Sequence, residues 1–294
     1  MSTREIFDGR LEAALLLAPT LLVSVVFLYY PTALAFRTSL FDAGFGRAEE
    51  FVGLENYLTL LESSAYHRSV AISVLFAALV VVGTITVSLY LTFLIHEVDD
   101  GQGWYLISVI WPYALPPAVA ALVFLFILHP TLGVLTGPIE AVGFDVDWFN
   151  DGPQAFLVVL LVAIWKQIGY NVIFMIAAMK DVPDALTETA ELDGVGRLRR
   201  LVSVYVPIMT PTLFFLVIIN TIYAFFGTFA FVDLLTSGGP ANATNVLIFD
   251  LYREGFSFFN FGVASTKSVV LFLVVAVLMV IQFRLTEEYS YYGA

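Results

Sequence analysis

Apolar residues along the chain gather into six long runs separated by short polar stretches, at 11–30, 69–95, 104–128, 155–179, 208–235 and 262–283. Each run approaches the roughly 20 residues that a helix rising about 1.5 Å per residue needs to cross the hydrocarbon core of a bilayer. The pattern predicts six transmembrane helices in an all-α integral membrane protein. The first run, LEAALLLAPTLLVSVVFLYY, follows Arg4 and Arg10 and is ended by Pro31. It is long, closes on bulky aromatics and lacks a small-residue cleavage pattern, which sets it apart from a signal peptide. The third run carries Pro112, Pro116 and Pro117 in WPYALPPAVAA. Each proline removes a donor and crowds the preceding turn, so this span is expected to kink or unwind. A kink of this kind serves packing alone or the passage of a solute, and the residues leave both open.

Composition agrees with the pattern: 60% of the 294 residues are hydrophobic and the mean hydropathy is +0.89, against roughly 45–50% apolar in a soluble domain. Charge adds something the runs do not show. The formal net charge is −12, and the excess acid sits between the runs, at Asp42, Glu49, Glu50, Glu55, Glu62, Glu97, Asp99, Asp100, Asp145, Asp147 and Asp151. A strongly negative surface keeps a protein dispersed in concentrated salt, so a halophilic source is expected. Basic residues set the orientation. With the N-terminus inside, cytoplasmic segments hold Arg4, Arg10, Lys180, Arg197, Arg199, Arg200 and Arg284, and the outer loops hold Arg37, Arg47, Arg68 and Arg253. Both termini and the stretch 180–207 are then cytoplasmic.

Candidate chemistry is sparse. The chain has no cysteine, which excludes disulfides, thiolate nucleophiles and Cys-based metal sites. His67, His96 and His129 lie far apart at predicted helix ends without HExxH-type spacing, so no metal site is expected. No nucleophile–base pair is evident, and the chain is expected not to be an enzyme. Lys166 in WKQIGYN is the clearest ionisable group inside a span, with Gln167, Tyr170 and Asn171 beside it or one turn away. A buried charge of this kind is costly and is a functional candidate by default. Lys166, Gln167, Tyr170 and Asn171, together with Asn220 and Tyr223 on the fifth span, are the candidate translocation pathway. The same residues could instead be interhelical glue, with Lys166 paired to an acid or a carbonyl.

The polar stretch DVPDALTETAELDGVGRLRRLVSVYVP at 181–207 reads as two short helices around a glycine turn. Asp184 suits the first N-cap, Ala185, Leu186, Thr189, Ala190 and Leu192 make a small apolar face, and Gly194 stops the helix. Beyond it Leu198, Leu201, Val202 and Tyr205 recur at helical spacing, with Arg197, Arg199 and Arg200 near the other face. Helices this short are marginal alone. They lie on lipid headgroups or dock to a partner, and composition does not choose.

Glu188-Thr189-Ala190, Asp193-Gly194, Val204 and Pro207 resemble the EAA loop of ABC-importer permeases: Glu-Ala-Ala, three residues, Gly, nine residues, Ile-x-Leu-Pro. Spacing is intact; Thr189, Val195, Val204 and Val206 depart from the pattern by small or aliphatic replacements. LPPAVAALVF, WKQIGYN, AELDGVGRLRR and NTIYAFFGTFAFVDLLTSGGPANATNVLIFDLYREGF extend the resemblance over nearly the whole chain. Together they identify it as similar to the carbohydrate-uptake branch of that family, on the glycerol-3-phosphate side. The resemblance implies a type I ABC-importer (MetI-like) permease fold with an additional N-terminal helix. It also implies half of a pathway for glycerol-3-phosphate or glycerophosphodiesters, worked by alternating access. Implied partners are a homologous second permease, two ATPase subunits and an extracytoplasmic solute-binding protein. No cofactor is implied in this chain, with ATP and Mg on the ATPase; no GxxxxGKS/T phosphate loop occurs here. Carried over from the family, Glu188, Ala190, Asp193, Gly194 and Pro207 would couple to the ATPase, Glu188 as the charged contact, Ala190 allowing close approach and Gly194 as the turn. The same architecture importing a neutral sugar is an alternative, and an ion-coupled secondary transporter a more distant one.

Overall fold

A computed structural model of the chain describes residues 10–289; Arg4, which enters the orientation argument, lies outside them. The fold is a helical membrane protein. Among the described residues five helices are long and apolar enough to span a bilayer, and six if a bent pair counts as one. The chain divides into two compact units, one of residues up to Ser63 with Leu251–Val270, the other of Ser64–Asp250 with residues from Leu271 onward.

The first unit opens with α1 (Arg10–Ser24), a π-helical turn at Val25–Tyr29 and α2 (Tyr30–Thr38). The helix is not ended by Pro31 but runs on to Thr38. A proline clashes with the carbonyl four residues back and cannot donate to it. The wider turn just before Pro31, closed by the Tyr30 N–H on the Val25 carbonyl, takes up that mismatch without a break. No residue of its apolar window is buried, as expected of a helix solvated by lipid. Beyond it, β1 (Phe41–Asp42) pairs antiparallel with β2 (Glu50–Phe51), followed by α3 (Glu55–Glu62). Asn56 Nδ2 donates to the Ser39 and Phe41 carbonyls at 3.0 Å each. Gly262 lies so close to the Phe41 carbonyl that a Cβ there would stand 2.2 Å from the oxygen.

The second unit is built on α4 (Ser64–His96) packed along α8 (Gly152–Lys180). The buried face of α4 is small at nearly every turn, with Ser69, Ser73, Ala77, Val80, Thr84, Ser88 and Thr92 at intervals of three or four. Lipid offers no hydrophobic drive between helices, so close approach of small residues supplies the contact. Between α4 and α8 the third run forms two helices, α5 (Gln102–Ala114) and α6 (Pro117–Ile127), bent by 102°. The break falls at Leu115-Pro116, both extended, whereas Pro112 is carried inside α5. A short α7 (Thr136–Ala141) precedes α8. Asp151 caps α8 by accepting from the Gln154 N–H at 2.9 Å.

After α8 come α9 (Asp184–Leu192) and α10 (Arg197–Arg200), then a π-helical turn at Leu201–Tyr205, α11 (Val206–Ile208) and α12 (Thr210–Ile222). The turn before Pro207 repeats the device used before Pro31, here with the Val206 N–H on the Leu201 carbonyl. Further π-helical turns at Tyr223–Gly227 and Val232–Thr236 flank α13 (Phe229–Phe231), and α14 (Leu247–Tyr252), a π-helical turn at Arg253–Ser257 and α15 (Phe261–Tyr289) complete the described residues.

Candidate functional site

The polar loop at 181–207 is built as two helices around a glycine, with its details changed. Asp184 is the first helical residue rather than the cap; Pro183 holds the cap position, with no side-chain capping bond. Proline's fixed φ suits a helix start, which leaves Asp184 to meet the helix dipole from within the first turn. At the other end, the Val195 N–H bonds the Ala190 carbonyl and the Gly194 N–H the Glu191 carbonyl, each at 2.9 Å. This reverse turn needs a left-handed residue, and Gly194 supplies it at φ +72°.

The faces of α9 are not equivalent. Ala185, Leu186, Glu188, Thr189 and Leu192 point outward, together with Asp193 and Gly194, whereas Ala190 is buried against its own chain. The outward surface thus pairs the Glu188 carboxylate with the exposed Leu192. In the second helix the expected face is split. Leu201 and Tyr205 enter a core with Phe93, Met175, Met179, Val182, Met209 and Leu216. Leu198 and Val202 are turned out. The buried position just before Leu201 is taken by Arg200, only 4% exposed.

Arg200 is the one part of this site that local spacing does not reveal. Its Nη2 donates to both Glu97 carboxylate oxygens at 2.7 Å, and its Nη1 to Glu191. Arg197 Nε adds a longer contact to Glu97 at 3.6 Å. Burial alone would lower the Arg200 pKa; the Glu97 and Glu191 carboxylates outweigh it and move it upward. Glu97 follows the last turn of α4 and Glu191 lies on α9, so the guanidinium joins three segments. In the sequence Glu97 is one more loop acid, and its partner is 103 residues away.

The polar residues within the spans bond mostly to backbone carbonyls, and Asn171 and Asn220 also to each other. Lys166 Nζ donates to the Tyr113 carbonyl at 2.7 Å and stands 4.7 Å from the centre of the Tyr113 ring. In an unbroken helix that carbonyl would accept from residue 117, which is a proline, so the lysine fills the vacancy left at the α5–α6 break. Asn171 and Asn220 form a reciprocal amide pair between α8 and α12, at 3.2 and 2.7 Å. Each also donates one turn back along its own helix, to the Gln167 and Leu216 carbonyls. The Tyr223 hydroxyl donates to the Ala163 carbonyl at 3.0 Å. Gln167 is buried beside Lys166, while Tyr170 is half-buried in an aromatic row with Tyr113, Phe174 and Phe215. Lys166, Asn171, Asn220 and Tyr223 therefore tie α8 to α5 and α12. Among the described residues no group of three His, Cys, Asp or Glu side chains could hold a metal ion.

Apolar spans, a broken third helix held by a lysine and an exposed two-helix loop define a multi-pass helical membrane protein. The chain belongs to the family described as binding-protein-dependent transport system inner membrane component, matched over residues 101–287. It is 36% identical over 289 residues to the sn-glycerol-3-phosphate transport system permease protein UgpA of Agrobacterium fabrum (strain C58 / ATCC 33970), covering 98% of this chain and 99% of that one. The protein of the same name from Escherichia coli (strain UTI89 / UPEC) is 38% identical over 288 residues, 98% of each chain. A solved bacterial alginate ABC transporter, in complex with alginate pentasaccharide-bound periplasmic protein, superposes with a TM-score of 0.81 at 22% identity, over 97% of this chain and 96% of that chain. That likeness shows the fold. The chain is accordingly a permease subunit of an ABC importer, a multi-pass inner-membrane protein rather than an enzyme.

Proposed function

We propose that this permease passes sn-glycerol-3-phosphate or a glycerophosphodiester, with a second homologous permease forming the other half of the pathway. An extracytoplasmic binding protein delivers the solute. Two copies of an ATPase, which hold ATP and Mg, seat the exposed face of α9 in a groove. The observation that carries the reading is identity of 36–38% to permeases of that name along 98% of the chain. The exposed Glu188 on α9 supports the docking assignment. Both termini and the 180–207 loop then face the cytoplasm.

In this reading ATP binding closes the ATPase pair and moves α9. The permease switches between two packed arrangements, and hydrolysis resets it. Import of a neutral sugar by the same machine is the second reading. The observation on its side is Lys166: the buried ammonium places one of its three donors on the Tyr113 carbonyl, a structural task that needs no anionic solute.

Reconstituting the assembled importer with its binding protein decides between them. ATP-dependent uptake of labelled glycerol-3-phosphate, displaced by unlabelled glycerol-3-phosphate and not by oligosaccharide, is the expected outcome; the reverse order of competition selects the neutral sugar. Glu188→Lys should lower recovery of the ATPase with the permease and reduce uptake at least about tenfold, equivalent to about 1.4 kcal/mol of docking energy. Full recovery and uptake would overturn the docking assignment.

A further inference from the structure

Covalent connection carries a displacement of α9 through Gly194 and α10 to α12, but the side chains offer a second route. Glu191 is on the helix assigned to docking, one turn beyond Glu188, yet its carboxylate turns back to Arg200. Arg200 in turn grips Glu97, at the end of α4, through both oxygens. The exposures are unequal: side chains of Arg200 and Glu97 are 5% and 17% exposed, that of Glu191 61%. α4 is the long helix packed along α8, and α8 carries the Lys166 clamp on the broken third span.

We propose that Arg200 is a positioning residue for coupling, a strut that delivers movement of α9 directly to the end of α4 through the Glu191–Arg200–Glu97 bridge. The inference rests on the docking of α9 proposed above. The bridge is in series: α9 to Glu191, Glu191 to Arg200, Arg200 to Glu97, Glu97 to α4. Loss of either carboxylate cuts it. A bridge that merely stabilised the fold would behave differently. Loss of the buried, bidentate Glu97 contact would then be felt strongly, and loss of the exposed Glu191 contact little, because exposed ion pairs contribute little to stability.

The test uses the assembled importer and counts solute molecules imported per ATP hydrolysed, alongside ATPase recovered with the permease. Glu97→Gln and Glu191→Gln are each expected to lower solute per ATP by about tenfold, a change corresponding to about 1.4 kcal/mol, with the ATPase still recovered. Arg200→Gln should match them, and Arg200→Lys should restore part of the loss. The absence of native cysteine permits a second readout through spin labels on Leu192→Cys and Asp99→Cys. Their distance distribution should stay narrow on ATP binding in the otherwise unaltered protein and broaden in Glu191→Gln. Wild-type coupling with an unbroadened distribution in Glu191→Gln overturns the strut, even if Glu97→Gln is impaired. Should Arg200→Gln fail to accumulate in the membrane, the two Gln variants of the carboxylates decide alone. Glu188→Lys separates the two hypotheses: full ATPase recovery there removes the docking reading, whereas loss there with a silent Glu191→Gln removes only the strut.

Discussion

Lys166 sits in a membrane helix with its ammonium on a backbone carbonyl, and its position is explained by a proline in another helix. Pro117 cannot donate to the Tyr113 carbonyl, an orphan acceptor in hydrocarbon is costly, and the ammonium is 2.7 Å from that oxygen. Two substitutions separate a clamp from a counter-charge. Lys166→Gln removes the charge and keeps a donor; Lys166→Met removes both. A clamp predicts that Gln retains most uptake, with half-saturation changed less than about twofold, while Met loses about fivefold or more in maximal rate, since an unsatisfied buried carbonyl costs about 1–3 kcal/mol. Equal failure of Gln and Met in transport assays would return Lys166 to the solute pathway.

At the scale of elements, the turn between α9 and α10 is the point where one residue controls a helix end. Gly194 is left-handed at φ +72°, and a Cβ added there would meet nothing within 4 Å. Any substitution penalty is therefore conformational, about 1–2 kcal/mol for an ordinary L-residue and less for asparagine. If docking requires α9 in this form, Gly194→Val should weaken ATPase binding by roughly five- to thirtyfold and Gly194→Asn distinctly less. Equal affinities, measured by titrating ATPase onto the purified permease, would count against that requirement. This helix end is legible in the sequence because a glycine stop is local chemistry. The six runs are legible for a similar reason, since bilayer thickness fixes their length. What is not legible depends on phase and distance. The face expected from the apolar spacing is not the buried one: Leu198 and Val202 are exposed, and Arg200 is inside because Glu97, distant in sequence, pairs with it. The break in the third span is expected from its prolines, yet which one breaks it depends on the partner able to satisfy the freed carbonyl. That partner, Lys166, is 53 residues away.

Across the whole molecule, the exposed surface joins two opposed solvents. Phe27, Leu28, Tyr29 and Tyr30 are bare along the first helix, as are Val82 on α4 and Val277 and Val280 on α15; in lipid this is the low-energy arrangement. The polar segments carry the formal charge of −12, with Glu49, Glu50, Glu55, Glu62, Asp99, Asp100 and Asp145 all exposed. Few of these acids are neutralised locally. Arg37 pairs with Glu49 at 3.1 Å, but both side chains are about half exposed, and such pairs contribute little. Uncompensated like charge destabilises a compact state and is screened by salt, over about 8 Å at physiological ionic strength and about 3 Å at 1 M. A protein suited to concentrated salt should therefore lose thermal stability and uptake as KCl falls below physiological strength and regain both in molar KCl. Choline chloride at equal ionic strength should restore the same stability, because screening does not depend on the cation. Glu49, Glu50 and Glu55 are exposed and lie outside the spans, so detergent-solubilised permease carrying Glu49→Gln, Glu50→Gln and Glu55→Gln should show a shallower salt dependence with unchanged stability in molar KCl. A melting temperature indifferent to salt in the unaltered protein would remove the halophilic reading, leaving the acidity as a matter of solubility alone.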